Sequence, residues 1–537
     1  MLKNNERMIS MKRILCGGLA ALLMFGLLPS CNNDTPSTGD QEGYTTLKVM
    51  TVDRADSEKS ITKESPITTM IQEKTKVKIE WDAMPEANYS EIMNTRLAAG
   101  LNLPDIMFTG YSNDLKPATN GLYIPLNDLI QKEAPNLKKA LYEEFEMVRK
   151  LNTAPDGNIY WVPGIDQPTY QGEPMASVHG VSIRKDWLDK CGITKVPETT
   201  TEFYDALKAF QTNDCNGNGK ADEVFVSWFG FQDAMLSWFG VPQGSITIDE
   251  KGEPKYLWCY ENAYDYVVYM RKLYADKLLD QQIFNVTGEN ILKRVNLNRA
   301  SAICYWADAS TFDSQCGVDG AEYVTMKPLK TDIGTAGQFK IPATGQTGAN
   351  WAITKDCKNP EAAIKFLDWF YSEEARDMVL WGIEGVHCEK VDGKFQQKAD
   401  FVERVQNNTT TLADEYDWVP CLPFCRLTKW EDTVAKTAGN EKLQARAQES
   451  LVLSNWEETV WAVTQVALPT EEEEKMANQY ANEMGTFAIE SITKFINGRD
   501  DLTPQTWQKF QDRLKNDFHL QDRLDIFKKQ YDRLNNK

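Results

Sequence analysis

Apolar positions along the chain come in short runs whose spacing alternates between that of a strand and that of a helix. "TLKVMTV" (46–52) is β-rich and reads as a strand. A helical stretch, "SPITTMIQEKT", leads to a second strand, "KVKIEW" (76–81). "YSEIMNTRLAAG" then reads as helix and "LPDIMFTG" (103–110) as a third strand. Strands alternating with helix-length crossovers predict a parallel or mixed sheet covered on both faces. The pattern restarts after "IYWVPG". There "GVSIRKDWLDKCG" gives strand then helix. In "PETTTEFYDALKAF", Pro197 precedes a helix start with Thr199 or Thr200 as N-cap and Glu202 close behind. "EVFVSWFG" and "ASAICYWAD" (300–308) read as strands, with the amphipathic helix "AYDYVVYMRKLYADKLL" between them. "NWAIT" with "NPEAAIKFLDWFYSEEA" repeats strand, loop and helix, and from about 470 onward the chain is charged and helical. With 537 residues there is room for two or more domains, and the fold class is α/β.

Between a helix and a strand of that second run lies "DCNGNGKADE" (214–223). Oxygen side chains fall at loop positions 1, 3 and 5 (Asp214, Asn216, Asn218), and Gly219 follows at position 6, where the backbone must turn sharply and a Cβ would clash. This is the front half of the calcium loop D-x-[DN]-x-[DN]-G. The back half departs from an EF-hand: position 12 is Phe225, and Asp222 and Glu223 arrive at positions 9 and 10 instead. Five side chains plus the Lys220 carbonyl would serve a hard cation needing six to eight oxygens. No His or paired Cys stands nearby, which disfavours zinc, and a full protein ligand set leaves little room for a catalytic water. The alternative is an ordinary Asx/Gly-rich surface turn.

Composition narrows the partners. The chain is 42% hydrophobic and carries a net charge of −19 with no Lys/Arg stripe, so nucleic acid is excluded as a partner. Lys12 and Arg13 precede "ILCGGLAALLMFGLL" and then "LPSC". That is a signal peptide over 1–30, with an apolar run too short for a comfortable span. Leu28 and Ser30 before Cys31 make a bacterial lipobox, with the less usual Pro29. Cleavage before Cys31, lipidation of its thiol and a flexible polar tether over 31–44 are expected, which would hold the protein on the extracytoplasmic side of a cell membrane. An uncleaved transmembrane anchor is the rival. Nine cysteines remain beyond Cys16 and Cys31, so not all can pair; their irregular spacing leaves the pairing open, Cys421 and Cys425 being the close pair.

Several motifs together resemble a known family. They are "RLAAGLNLPDIMFTG" (96–110), "IPLNDLIQKEAPNLKKAL" (124–141), "TAPDGNIYWVPG" (153–164), "IRKDWLDKCGITKVPETTTEFYDALKAF" (183–210), "DCNGNGKADE", "NWAITKDCKNPEAAIKFLDWFYSEEA" (350–375), "GIEGVH" (382–387) and the closing helices. In this order they resemble the extracellular solute-binding proteins of ABC carbohydrate importers, the large family that includes maltose-binding protein. The closest subgroup is that of the LipO-like and alginate-binding-protein-like lipoproteins. The resemblance implies a periplasmic-binding-protein type II-like fold: two discontinuous α/β lobes with a hinge and an interlobe ligand cleft. Lobe 1 is expected over 45–170 plus 335–388, and lobe 2 over 171–334 plus 389–537, with the calcium loop and the C-terminal helices. It implies capture of a carbohydrate and delivery to membrane-embedded ABC permease subunits by a monomer that is not an enzyme. Ca²⁺ would be structural, on Asp214, Asn216, Asn218, Lys220, Asp222 and Glu223.

Sugars present apolar C–H faces and hydroxyl rims, so a cleft offers aromatic faces with carboxylates and amides. By order of elements, Trp306 stands where the family places a stacking Trp, with Asp308 beside it. Trp351, Tyr170, Trp228, Trp238 and the loop carboxylate Glu384 complete the candidates; core packing is the alternative for each Trp. Arg184 and Lys185 would suit an acidic ligand. Two rivals remain. A glycan hydrolase or lyase is disfavoured because no motif selects a carboxylate pair, and G-x-S-x-G, H-E-x-x-H and a P-loop are missing. An all-helical, SusD-like outer-membrane glycan-capture lipoprotein conflicts with the β–α alternation.

Overall fold

A computed structural model describes residues 43–53, 60–62, 66–110, 114–167, 169–170, 173–174, 180–227, 234–305, 312–313, 315–335, 340–342, 349–406, 422–427, 429, 460–462 and 464–535. The expected signal peptide, Cys31, nearly all of the tether, and Trp228, Trp306 and Asp308 lie outside the described residues. Residues Thr45–Lys537 form one compact unit.

Nine strands make two sheets: β1 (Thr45–Asp53), β2 (Val77–Pro85), β3 (Ile106–Phe108), β4 (Val162–Pro163), β5 (Gly180–Arg184), β6 (Val224–Ser227), β7 (Ala300–Tyr305), β8 (Tyr323–Met326) and β9 (Asn350–Ile353). The first sheet runs β2-β1-β3-β9-β4; the second runs β8-β5-β7-β6. In the first, β1 is parallel to both β2 and β3, while β9 is antiparallel to β3 and β4. In the second, β7 is parallel to β6 and antiparallel to β5. The helices that matter below are α1 (Pro66–Thr75), α2 (Glu86–Ala99), α3 (Lys185–Lys190), α4 (Thr200–Thr212), α5 (Ala263–Ala275), α6 (Pro360–Trp369), α7 (Ala481–Ile496), α8 (Pro504–Asn516) and α9 (Leu520–Leu534).

Local chemistry explains where these elements stop. The third expected strand shortens to 106–108, its start delayed by Pro104, which has no N–H for the ladder. Asp105, just before it, accepts instead from the Lys48 N–H at 2.8 Å. Helix α2 closes on Gly100 at φ +63°, whose N–H reaches the Arg96 carbonyl. Helix α4 starts on a capping box: Thr199 takes the Glu202 N–H at 3.2 Å, and Glu202 takes the Thr199 N–H at 3.1 Å. Its Phe203, Ala206, Leu207 and Phe210 fall on one face and are buried, the 3.6-residue period the sequence displayed.

Each sheet has its own core. Chain up to Ile165 and again from Ala349 to Ile383 packs around the first. Val181 to Leu329 packs around the second, joined by α7 and α8 through Ile492, Phe495, Trp507 and Phe510. Both cores are therefore built from discontinuous chain. The segment 389–537 contributes to both, because Leu422, Phe424, Cys425 and Leu468 join the first. At the crossings between the two cores, after Ile165 and after Leu329, lie short parallel pairs: Ile165–Asp166 with Cys425–Arg426, and Lys340–Pro342 with Val460–Ala462. Arg426 also pairs with Asp166 through its guanidinium.

Candidate functional site

The loop 214–223 is wound by its own side chains. Helix α4 ends at Asn213, whose side-chain amide donates to the Ala209 carbonyl at 2.8 Å. Asp214 then takes φ +47°, a left-handed conformation that Asp tolerates better than most residues. Its carboxylate accepts the N–H groups of Asn218 (3.1 Å) and Gly219 (2.9 Å). Asn216 Oδ1 accepts from Asn218 N (3.1 Å), and Asn218 Oδ1 from Lys220 N (2.9 Å). Gly217 and Gly219 hold φ of +70° and +76°. A Cβ on Gly219 would meet nothing within 4 Å, so the expected clash is absent and the positive φ alone asks for glycine.

The far end of the loop is buried and charged. Glu223 is 1% exposed and accepts the N–H groups of Asn216 and Asp222, each at 3.1 Å. Burial raises its pKa despite those donors. For Asp222, partial burial works in the same direction, but the amides of Asn216 and Asn218 (2.8 and 2.9 Å) and the Arg299 guanidinium (3.2 Å) hold its carboxyl below the usual carboxylate range. Gln211 clamps the Glu223 carbonyl at 2.9 Å, and Lys190 donates to the carbonyls of Asp214 (3.3 Å) and Cys215 (3.0 Å).

Three carboxylates thus share ten residues with one guanidinium on Asp222. Among the described residues no cationic side chain pairs with the Glu223 carboxylate. A buried carboxylate so placed is stabilised by a nearby positive charge. Among the described residues no three His, Cys, Asp or Glu side chains are grouped closely enough to hold a metal alone. The oxygen set here is a mixed one of carboxylates and amides, and the Asn amides currently spend their N–H₂ groups on Asp222. Such a set suits a hard, oxygen-preferring cation and no thiolate-preferring one.

This loop sits at one end of the second sheet. Glu223 leads into β6, and Arg299 into its parallel neighbour β7, with the Val224 N–H bonded to the Arg299 carbonyl at 2.8 Å. The opposite ends of these strands, Ser227 and Tyr305, directly precede Trp228 and Trp306 in the sequence. At about 3.3 Å per residue, these strands put roughly 13–20 Å between the loop and their far ends, Ser227 and Tyr305.

The remaining candidates scatter. Trp351 is on β9, fully buried, with its ring 5.2 Å from that of Phe108. Trp238 is 1% exposed and packs edge-on against Phe203 at 6.1 Å. Both therefore stand in packed cores, their ring faces covered: β9 is an interior strand of its sheet, and Trp238 ends a short helix inside the second core. Tyr170 lies on a two-residue strand paired with Glu173–Pro174. Glu384 is exposed, 3.9 Å from Lys390. Arg184 is 1% exposed and committed to Asp186, Asn298 and the Trp187 ring, so it is no surface anchor for an acid. Lys185 is tied to Asp189. Sequence reasoning missed Lys190, Gln211 and Arg299 as supports of the loop; Arg299 lies 77 residues from its partner, and nothing local announces it.

Solved structures share this architecture. FusA of S. pneumoniae in complex with kestose superposes with a TM-score of 0.75 at 24% identity, covering 92% of this chain and 100% of that one. The alginate-binding protein AlgQ2 without calcium ion gives 0.70 at 24%, covering 91% and 98%. The fold is the two-lobed, hinged type II of periplasmic binding proteins. Residues 57–377 match the bacterial extracellular solute-binding protein family, and the chain belongs to that family. Among curated relatives, the fructooligosaccharide ABC transporter substrate-binding protein FusA of Streptococcus pneumoniae serotype 4 is 28% identical over 386 residues, 69% of each chain. Lipoprotein LipO of Bacillus subtilis is 25% identical over 397 residues, 70% of this chain and 73% of that one. The family is one of solute-binding proteins and FusA is the substrate-binding protein of an ABC transporter, not an enzyme.

Proposed function

We propose that this protein captures a carbohydrate, most simply an oligosaccharide, between its lobes outside the membrane and delivers it to the permease of an ABC importer. The observation that carries the reading is the match to FusA, a fructooligosaccharide-binding protein, in sequence over 69% of the chain and in fold over 92%. Trp306, Asp308, Trp228 and Tyr170 are the residues we assign to the ligand, since they follow strand ends or lie at the first crossing between cores. Trp351 and Trp238 are left to the cores. The lobes would rotate about the crossings near 165–180 and 330–349, reporting the loaded state to the permease. The protein would act as a monomer, tethered through lipidated Cys31 after removal of residues 1–30. The lipobox and the LipO relative support that anchor.

Calcium is the second part of the reading. Asp214, Asn216, Asn218, Asp222 and Glu223, with the Lys220 carbonyl, would hold one Ca²⁺, which would order the loop and neutralise its carboxylates. The buried Glu223 supports this, as do the related structures of AlgQ2 without calcium and of a FusA EF-hand mutant in complex with fructo-nystose. Held at the end of the second sheet away from Ser227 and Tyr305, the strand ends that precede the assigned Trp residues, the cation would be a staple and would touch no sugar. Thermal shift against neutral fructooligosaccharides and uronic-acid oligomers, each with calcium and with EDTA, tests both parts. A glycan at a hundredfold excess over Kd should stabilise by about 2.7 kcal/mol. If only uronic-acid oligomers shift the melting point, the ligand is acidic. If no glycan does, the carbohydrate reading fails.

A further inference from the structure

Two cysteines meet at the edge of the cation loop. Cys191 caps the C-terminus of α3, its N–H bonded to the Trp187 carbonyl at 3.0 Å. Cys215 is the second residue of the loop, its N–H bonded to the Phe210 carbonyl at 3.1 Å. Their Sγ atoms are 3.4 Å apart, and both thiols are free. Cys191 is half-buried and Cys215 buried, so one sulfur can be reached from solvent and the other lies behind it. The Lys190 ammonium bonds the Cys215 carbonyl at 3.0 Å, and the Asn213 amide approaches Cys191 Sγ at 3.5 Å. Hydrogen bonds thus hold both backbones, and the two sulfurs face each other across the seam between α3 and the loop. A disulfide needs about 2.05 Å between sulfurs, so a small rotation of either side chain would close the gap.

We propose that Cys191 and Cys215 are a disulfide-forming pair that ties the cation loop to α3. An extracellular protein meets oxidants able to close such a pair. The oxidant is of the disulfide class, low-molecular-weight or carried by an oxidoreductase. The Cys191 sulfur attacks one sulfur of that disulfide and expels the first thiolate. The Cys215 sulfur then attacks Cys191 Sγ and expels the second. One sulfur–sulfur bond forms and one breaks; two electrons pass to the oxidant, and the two thiol protons end on its reduced thiols. The bond fixes the loop's first turn against a helix. It therefore pre-orders the residues that the calcium reading assigns to the cation, and oxidation should tighten calcium binding. That last consequence rests on the calcium reading; the cross-link does not.

The experiment equilibrates the whole protein with oxidised or reduced glutathione and maps its peptides by mass without reduction. The same samples in EDTA are followed by hydrogen exchange at 214–223, and each is titrated with calcium. A linked Cys191–Cys215 peptide, two hydrogens lighter and lost on reduction, is expected. Amides of the loop should exchange about tenfold more slowly when oxidised. Cys191→Ser should abolish both effects and leave the half-exposed position tolerant, whereas Cys215 is too buried to be the only variant tested. Free or glutathione-capped Cys191 with no linked peptide overturns the proposal, as does a linked peptide with unchanged loop exchange. A linked, protected loop that binds no calcium in either state supports the cross-link and removes the calcium reading instead.

Discussion

The loop 214–223 and the buried tryptophans are both places where the sequence displayed ligand-like chemistry, and the structure treats them oppositely. In the loop, residues within ten positions find one another: Asp214 bonds Asn218 and Gly219, and Glu223 bonds Asn216. At Trp351 and Trp238 the rings are surrounded by residues distant in sequence and covered entirely. A contiguous motif carries its geometry with it, since φ angles and short-range hydrogen bonds decide it. An aromatic on a strand does not, because what covers its face is decided by elements far along the chain.

The largest expected effect tests the core side of that contrast. Trp351→Ala should cost about 3–5 kcal/mol in denaturant unfolding, while the folded fraction keeps its affinity for glycan. A stable variant that has lost binding would return Trp351 to the cleft. Next, chelation of a calcium-saturated sample should lower stability by about 2.7 kcal/mol at a hundredfold excess of cation over Kd, read by calorimetry, with glycan affinity little changed. Asp214→Ala should abolish the calcium-dependent part. A large loss of glycan affinity on chelation would join two sites that are held here to be separate.

Smaller effects sharpen the picture. Thr199→Ala removes the capping oxygen of the helix that leads into the loop and should cost about 1 kcal/mol by chemical denaturation. Glu384→Gln touches an exposed turn with a long contact to Lys390 and should change stability by less than about 0.5 kcal/mol. If that substitution removes glycan binding without affecting stability, Glu384 is a ligand residue after all.

Much of the scaffold was legible. β1 falls on the run 46–52, a mostly apolar stretch because most of its positions are buried, and β2 begins on the run 76–81, where buried Val77 and Ile79 alternate with exposed Lys78 and Glu80 as on an edge strand. The α4 cap was legible to within one residue, and the structure selects Thr199 over Thr200. What escaped was non-local. "NWAIT" reads equally well as a cleft strand or a covered one, and only the placement of β9 between β3 and β4 decides for burial. Arg184 looked like a surface cation; the Trp187 ring, Asp186 and the distant Asn298 enclose it. The contact of Cys191 with Cys215 likewise follows from how α3 lies against the loop, which no spacing rule encodes.

In the proposed function, a non-catalytic pair of lobes holds a sugar far from a structural cation. Isothermal titration of fructooligosaccharide and uronic-acid oligomers into the purified protein, with calcium and then with EDTA, tests it most directly when the recovered glycan is analysed by chromatography. Saturable one-to-one binding of one glycan class in both conditions, with intact glycan afterwards, is the expected result. Shortened glycan, or no binding of either class, would contradict it.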